Sequence, residues 1–259
     1  MDRLIEGHKR FLAEVFPRRR DQFHLLAEGQ APEWLFITCS DSRVVPDLIL
    51  GTGPGDLFIT RNAGNVVPIA SHDVDGVTAT IEYAVEVLKV KSAILCGHSD
   101  CGALKAALDR KGLEKMPKAH RWLSHVEAAF SHRQPLNPAD GEHAELASLI
   151  RGNVVAQMLN LKAQPSVARA LVEGRLTVHG WYYDILSGRI EQYDEQMRRF
   201  LPLADCPTQK NMSYAADSAS SRVSVSTVMS SSCPKLTAAC AACSAVGLVA
   251  KSVLRRSKL

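Results

Sequence analysis

The chain has 259 residues, 46% of them hydrophobic and 22% charged, which is enough for one α/β domain with a sizeable core and a remainder. Much of the formal charge of +4 sits at the two ends, in Arg18, Arg19 and Arg20 and in Arg255, Arg256 and Lys258; no aromatics interleave along a basic face, so it reads as solvated surface rather than a nucleic-acid site. No run of about 18 apolar residues offers a membrane span, residues 1–20 lack an apolar signal core, and seven unevenly placed cysteines do not make a disulfide framework, so cytoplasmic residence with reduced thiols is expected.

Leu4, Phe11, Leu12, Val15 and Phe16 form an apolar stripe near helical spacing and predict a helix over 3–16. Phe23, Leu25 and Leu26 predict a second over 18–28. Such helices either cap their own domain or cross to a partner subunit, and the pattern fits both. The run 34–38 predicts a buried strand ending at Cys39, 56–60 a second, and 92–96 a third that ends in Gly97-His98. A helix over 74–88 carries Val77, Ile81, Ala84, Val85 and Leu88 on one face, and another is predicted over 101–110. This strand–loop–helix repetition argues for an α/β fold with a mostly parallel central sheet flanked by helices. Further helices are predicted over 118–130, 143–163 and 166–173, then two late strands over 176–184 and 189–193 around a turn at Ser187-Gly188.

From Cys206 the composition shifts to Ser, Ala and Val, and later to Ala, Cys, Val and Leu. A domain over 1–205 and a low-complexity tail over 206–259 are expected, the tail disordered or at most a loose helix at its end. Cys240 and Cys243 have metal-like spacing, but with no second pair and no nearby His they read as incidental. The basic end of the tail leaves contact with a membrane surface as a minor alternative.

Three thiol and imidazole groups stand at predicted strand ends. Cys39 ends the first strand, His98 ends the third, and Cys101 completes an HxxC pair. Ligands of open α/β sheets bind at the carboxyl ends of strands, and adjacent strands lie about 5 Å apart. Two thiolates and one imidazole suit a tetrahedral, borderline-soft cation, zinc first, and leave one coordination position open. Asp41 and Arg43 follow within four residues of Cys39. A bidentate pair there would hold a carboxylate beside the open position; a turn with a surface ion pair is the plainer alternative.

Cys39-Ser40-Asp41-Ser42-Arg43 with Gly97-His98-Ser99-Asp100-Cys101-Gly102 resembles the paired signature of the β-class carbonic anhydrases, and the separation of the two motifs is also similar. Pro46, Gly55-Asp56, Arg61-Asn62-Ala63-Gly64-Asn65, Glu82-Tyr83-Ala84 and His179-Gly180-Trp181 extend the likeness over about 3–203, and the tail departs from it. The resemblance implies one zinc per subunit on Cys39, His98 and Cys101, with Asp41 and Arg43 as an orienting dyad. It implies that Gln30 donates a hydrogen bond to substrate and that Phe58, Ala63, Tyr83 and the Gly102 backbone line a CO2 pocket. Phe36 stands where some bacterial members carry a tryptophan of a regulatory bicarbonate pocket; with Gln30 it looks like the plant-like branch, in a bacterial type.

The activity implied is reversible hydration of CO2 to bicarbonate and a proton, by attack of hydroxide at the metal. The family also builds homodimers and larger homo-oligomers, with N-terminal helices packing on a partner subunit and sites at the subunit boundary. In some members the counterpart of Asp41 binds zinc and closes the site, and the sequence leaves that state open. A related zinc hydrolase acting on CS2, or a non-enzymatic zinc–thiolate module, are the alternatives. A nucleotide-binding domain is not supported, since no GxGxxG or Walker-type loop follows a strand.

Overall fold

A computed structural model of the chain describes residues 1–71, 75–110 and 112–206. The expected tail, with Cys240 and Cys243, lies outside the described residues from 207 onward. Among the described residues six strands form one sheet in the order β2-β1-β3-β4-β5-β6: β1 is Trp34–Cys39, β2 Leu57–Asn62, β3 Ser92–His98, β4 Thr177–Tyr183, β5 Ile190–Asp194 and β6 Arg199–Pro202. The first four in that order run parallel, and β5 and β6 are antiparallel. The α/β expectation is met. β6 is not among the expected strands: its apolar residues Phe200 and Leu201 are cut short by Pro202, and it pairs only at the sheet edge, Tyr193 opposite Phe200.

The helices are α1 (Asp2–Arg10), α2 (Arg20–Glu28), α3 (Pro46–Leu50), α4 (Gly76–Glu86), α5 (Gly102–Asp109), α6 (Pro117–Leu123), α7 (Glu127–Ser131), α8 (Ala144–Lys162) and α9 (Pro165–Val172). The first predicted helix changes pitch after Arg10. Residues 11–15 widen into a π turn, with the Phe16 N–H bonding to the Phe11 carbonyl at 2.8 Å. That turn gathers Phe11, Phe16 and Phe23, with ring centroids 5.3–6.1 Å apart. α4 starts at Gly76 because Asp75 caps it, accepting from the N–H groups of Val77 and Thr78. The single helix expected over 118–130 is two, split by a tight turn at 124–126. Ser124 Oγ donates back to the Arg121 carbonyl at 2.7 Å, and the buried Leu123, Val126 and Ala129 recur every third residue.

One face of the sheet carries the main core. Leu35, Ile37, Ala93, Leu95 and Val178 meet Val77, Ile81, Ala84 and Val85 of α4, Val154, Met158 and Leu161 of α8, and Val167 and Ala170 of α9. Each fully buried Leu or Ile there contributes about 1.5–3 kcal/mol. α8 comes close because Gly97 and Gly180 face it: a Cβ would stand 2.8 and 2.9 Å from Val154. The other face buries Phe36, Ile94 and Cys96 beside Trp181 and Tyr183.

α8 and Gln164, which precedes α9, also carry a polar ladder. Asn153 Nδ2 donates to the Gly64 carbonyl (2.9 Å), Asn160 Nδ2 to Val67 (2.9 Å), and Gln164 Nε2 to Pro68 (2.8 Å). Gln157 accepts from the Val67 N–H at 2.8 Å. These buried bonds fix the loop 63–68 at the carboxyl end of the sheet.

Candidate metal centre

Cys39 and His98 end neighbouring strands, and Cys101 caps α5. All three are buried, and one ligand atom from each lies within 4.8 Å of the others. The two sulfurs are 3.9 Å apart. His98 Nδ1 lies 2.9 Å from the Ser99 carbonyl, which only accepts, so that nitrogen carries the proton and Nε2 keeps a lone pair. Nε2 is fully buried and has no hydrogen-bond partner. An orphaned lone pair beside two sulfurs has the donor chemistry of a metal ligand.

The electrostatics agree. The Cys39 thiol is pulled down, first by the hydrogen bond from Cys101. The Cys101 thiol is pushed up by that same bond and by burial. One proton leaves easily, but a second negative charge at 3.9 Å is opposed unless a cation lies between them. The donor set of two thiolates and one imidazole fits zinc.

Beside this cluster Asp41 and Arg43 form a fork: Nε donates to Oδ1 at 3.0 Å and Nη2 to Oδ2 at 2.8 Å, with the Arg43 N–H adding a third bond at 2.9 Å. The guanidinium holds the Asp41 carboxyl well below the usual carboxylate range. Asp41 Oδ2 is 3.9 Å from His98 Nε2. The state in which Arg43 retains the carboxylate is the one observed. Arg61 braces the loop from outside, donating to the carbonyls of Cys39 (3.0 Å) and Asp41 (2.6 Å).

The remaining expected site residues fall in two places. Ala63 and Gly102 lie at the metal end and line an apolar cavity of about 450 Å³ with Ala103, Ala106, Trp122 and Leu123. Trp122 Nε1 donates to the Ala63 carbonyl at 2.9 Å. Gln30, Phe58 and Tyr83 are elsewhere. Gln30 is exposed and precedes β1. Phe58 pairs with Leu35, about 13 Å along the strand from Cys39. Tyr83 is 46% exposed, its ring 5.9 Å from Phe58. These three do not reach the cluster of their own chain. Sequence reasoning gave no role to Arg61, Asp100 or Trp122, because their partners are other loops rather than neighbours in the chain.

A family model described as carbonic anhydrase matches residues 34–190. The chain is similar to a carbonic anhydrase of Pseudomonas aeruginosa, 49% identical over 204 residues, which are 79% of this chain and 92% of that protein. It is also similar to carbonic anhydrase 1 of Escherichia coli O157:H7, 44% identical over 80% of this chain and 94% of that protein. Among solved structures, the β-carbonic anhydrase CcaA superposes with a TM-score of 0.72 at 40% identity, over 78% of this chain and 91% of that one. A tetrameric β-carbonic anhydrase of Sordaria macrospora gives 0.64 at 35% identity, over 74% and 95%.

Proposed function

The chain belongs to the β-class carbonic anhydrases of bacterial type, and from that premise we propose that Cys39, His98 and Cys101 hold one zinc ion per subunit, served by Asp41 and Arg43. The activity is zinc-dependent reversible hydration of CO2, and neither CS2 hydrolysis nor a non-enzymatic role is favoured. The observation that carries the metal assignment is the buried, unpartnered His98 Nε2 beside two sulfurs 3.9 Å apart. Bound zinc supplies Lewis acidity that brings the pKa of water from about 15.7 toward neutrality.

The chain's own residues do the rest. Asp41 stays ionised under Arg43 and accepts a hydrogen bond from the attacking water, which aims a lone pair at carbon. CO2 has no charge to grip, so the apolar cavity that Ala63 and Gly102 line together with Trp122 suits it. Gln30, Phe58 and Tyr83 complete the pocket of a second copy. Support comes from the exposure of Gln30 and Tyr83, the distance of all three from their own cluster, and the arm formed by α1 and α2, none of whose residues is buried within the chain. The assembly is therefore a homodimer or larger. Phe36, buried against Trp181 with ring centroids 6.2 Å apart, and Gln30 favour the plant-like branch. Every proposed site residue precedes 206, which supports a catalytic domain over 1–205. No described helix is long and apolar enough to cross a membrane. Both sulfur ligands are free thiols, which suits the reducing cytoplasm.

Stopped-flow CO2 hydration with metal analysis tests this, on the full chain and on residues 1–205. Both chains should carry one zinc and turn over alike, lose activity to a strong chelator and regain it with zinc. Cys39→Ala should lose metal and activity together. Undiminished hydration by metal-free protein would refute the assignment.

A further inference from the structure

Asp100 stands between His98 and Cys101, yet its side chain belongs to neither the ligand set nor the dyad. Its backbone is left-handed, with φ 52°. Asp and Asn tolerate that region better than other residues with a Cβ. Its carboxylate and its carbonyl both meet one partner: Arg43 Nη1 donates to Oδ2 at 3.1 Å and Nη2 to the carbonyl at 3.0 Å. Arg43 is thus gripped from two sides, by Asp41 along Nε and Nη2 and by Asp100 along Nη1 and Nη2. A planar fork held at both edges keeps little freedom.

That matters because Asp41 has two possible partners. Its Oδ2 is 2.8 Å from Arg43 Nη2 and 3.9 Å from the unpartnered His98 Nε2. One carboxylate oxygen thus stands beside the free imidazole lone pair, while the cluster of ligand atoms among the described residues comprises only Cys39, His98 and Cys101. Arg43 also has somewhere to go. Its side chain is 45% exposed, and with Ser99, Asp100 and His143 it lines a cavity of about 480 Å³.

We propose that Asp100 is a positioning residue: by fixing Arg43 it keeps Asp41 on the guanidinium and away from the metal's remaining coordination position. Asp100 itself touches no substrate. The inference rests on the metal site and dyad described above.

The test uses the full chain with cobalt(II) in place of zinc, whose visible spectrum reports the fourth ligand, and azide as the competing anion. Asp100→Gly keeps the left-handed backbone and the carbonyl but removes the carboxylate. Asp100→Asn keeps an acceptor oxygen and removes only the charge. In Asp100→Gly the azide concentration that half-shifts the cobalt spectrum should rise about three- to ten-fold over wild type, and kcat of the zinc form should fall by a similar factor. Asp100→Asn should fall between, with thermal midpoints unchanged. An azide titration identical to wild type in Asp100→Gly would overturn the inference, even if kcat fell, since a merely structural role predicts that result. Failure of wild type to bind one cobalt per chain would overturn the metal reading itself, and this inference with it.

Discussion

At His98 a single contact decides which ring nitrogen faces the cluster. The Ser99 carbonyl takes the Nδ1 proton, and Nε2 is left buried with nothing to bond. The motif spacing marked the Cys39, His98 and Cys101 cluster and the Asp41–Arg43 pair, because Cys39 and His98 end strands and Cys101 opens the helix just after one. It did not announce Asp100 or Arg61, whose work is to bind Arg43 and two loop carbonyls across the site. Arg43 acts on Asp41 rather than on the ligands, so Arg43→Ala should keep its zinc while kcat falls about ten- to a hundred-fold. Metal analysis beside stopped-flow rates checks this, and full activity would contradict the dyad. The pair also has a pH signature. Asp41's folded pKa lies below its unfolded value, so its stabilisation is present above about pH 4 and is lost as pH falls through the folded value. Arg43→Ala should lack that acid-dependent component in denaturant titrations of the metal-free protein.

Among the elements, α8 has the largest part in shaping the site without touching it. Its residues Leu146 through Met158 are all buried, polar ones included, because the sheet packs on one side and α7 and the segment before α8 on the other. The expected span of 143–163 matches its extent, Ala144–Lys162. The ladder of Asn153, Gln157, Asn160 and Gln164 was not legible, since helical spacing of amides looks the same on a solvated face. Only the fold shows these amides satisfying carbonyls of the loop that carries Ala63 and Gly64. Gln157→Leu keeps the bulk but strands the buried Val67 N–H, and should cost about 1–3 kcal/mol in urea unfolding of the metal-free protein. Loss of protection at the Val67 amide in hydrogen exchange should accompany it, whereas wild-type stability would show that the loop is held otherwise. The split of 118–130 into α6 and α7 escaped notice for a related reason: apolar residues at every third position fit an α stripe as readily as a tighter turn.

At the scale of the whole molecule, the proposed pocket residues stand in two separate places. The sheet order, with its antiparallel edge, follows from short late strands that the composition marks as strands but does not order. Ala63 and Gly102 gather at the metal end, while exposed Gln30 before β1, half-buried Phe58 early in β2 and exposed Tyr83 on α4 lie away from it. On the proposed reading one chain carries two incomplete parts of a pocket, and the arm running from α1 through the π turn to α2 leaves apolar Leu4, Ile5, Leu12 and Val15 exposed. No feature of sequence alone fixes how copies assemble, because interface and surface share a composition. What does not depend on assembly is the ion. X-ray absorption at the zinc edge of the purified protein is the direct measurement. The account predicts two sulfur scatterers at about 2.3 Å and light scatterers, one of them imidazole, at about 2.0–2.1 Å. A spectrum without sulfur neighbours, or with four, would contradict it.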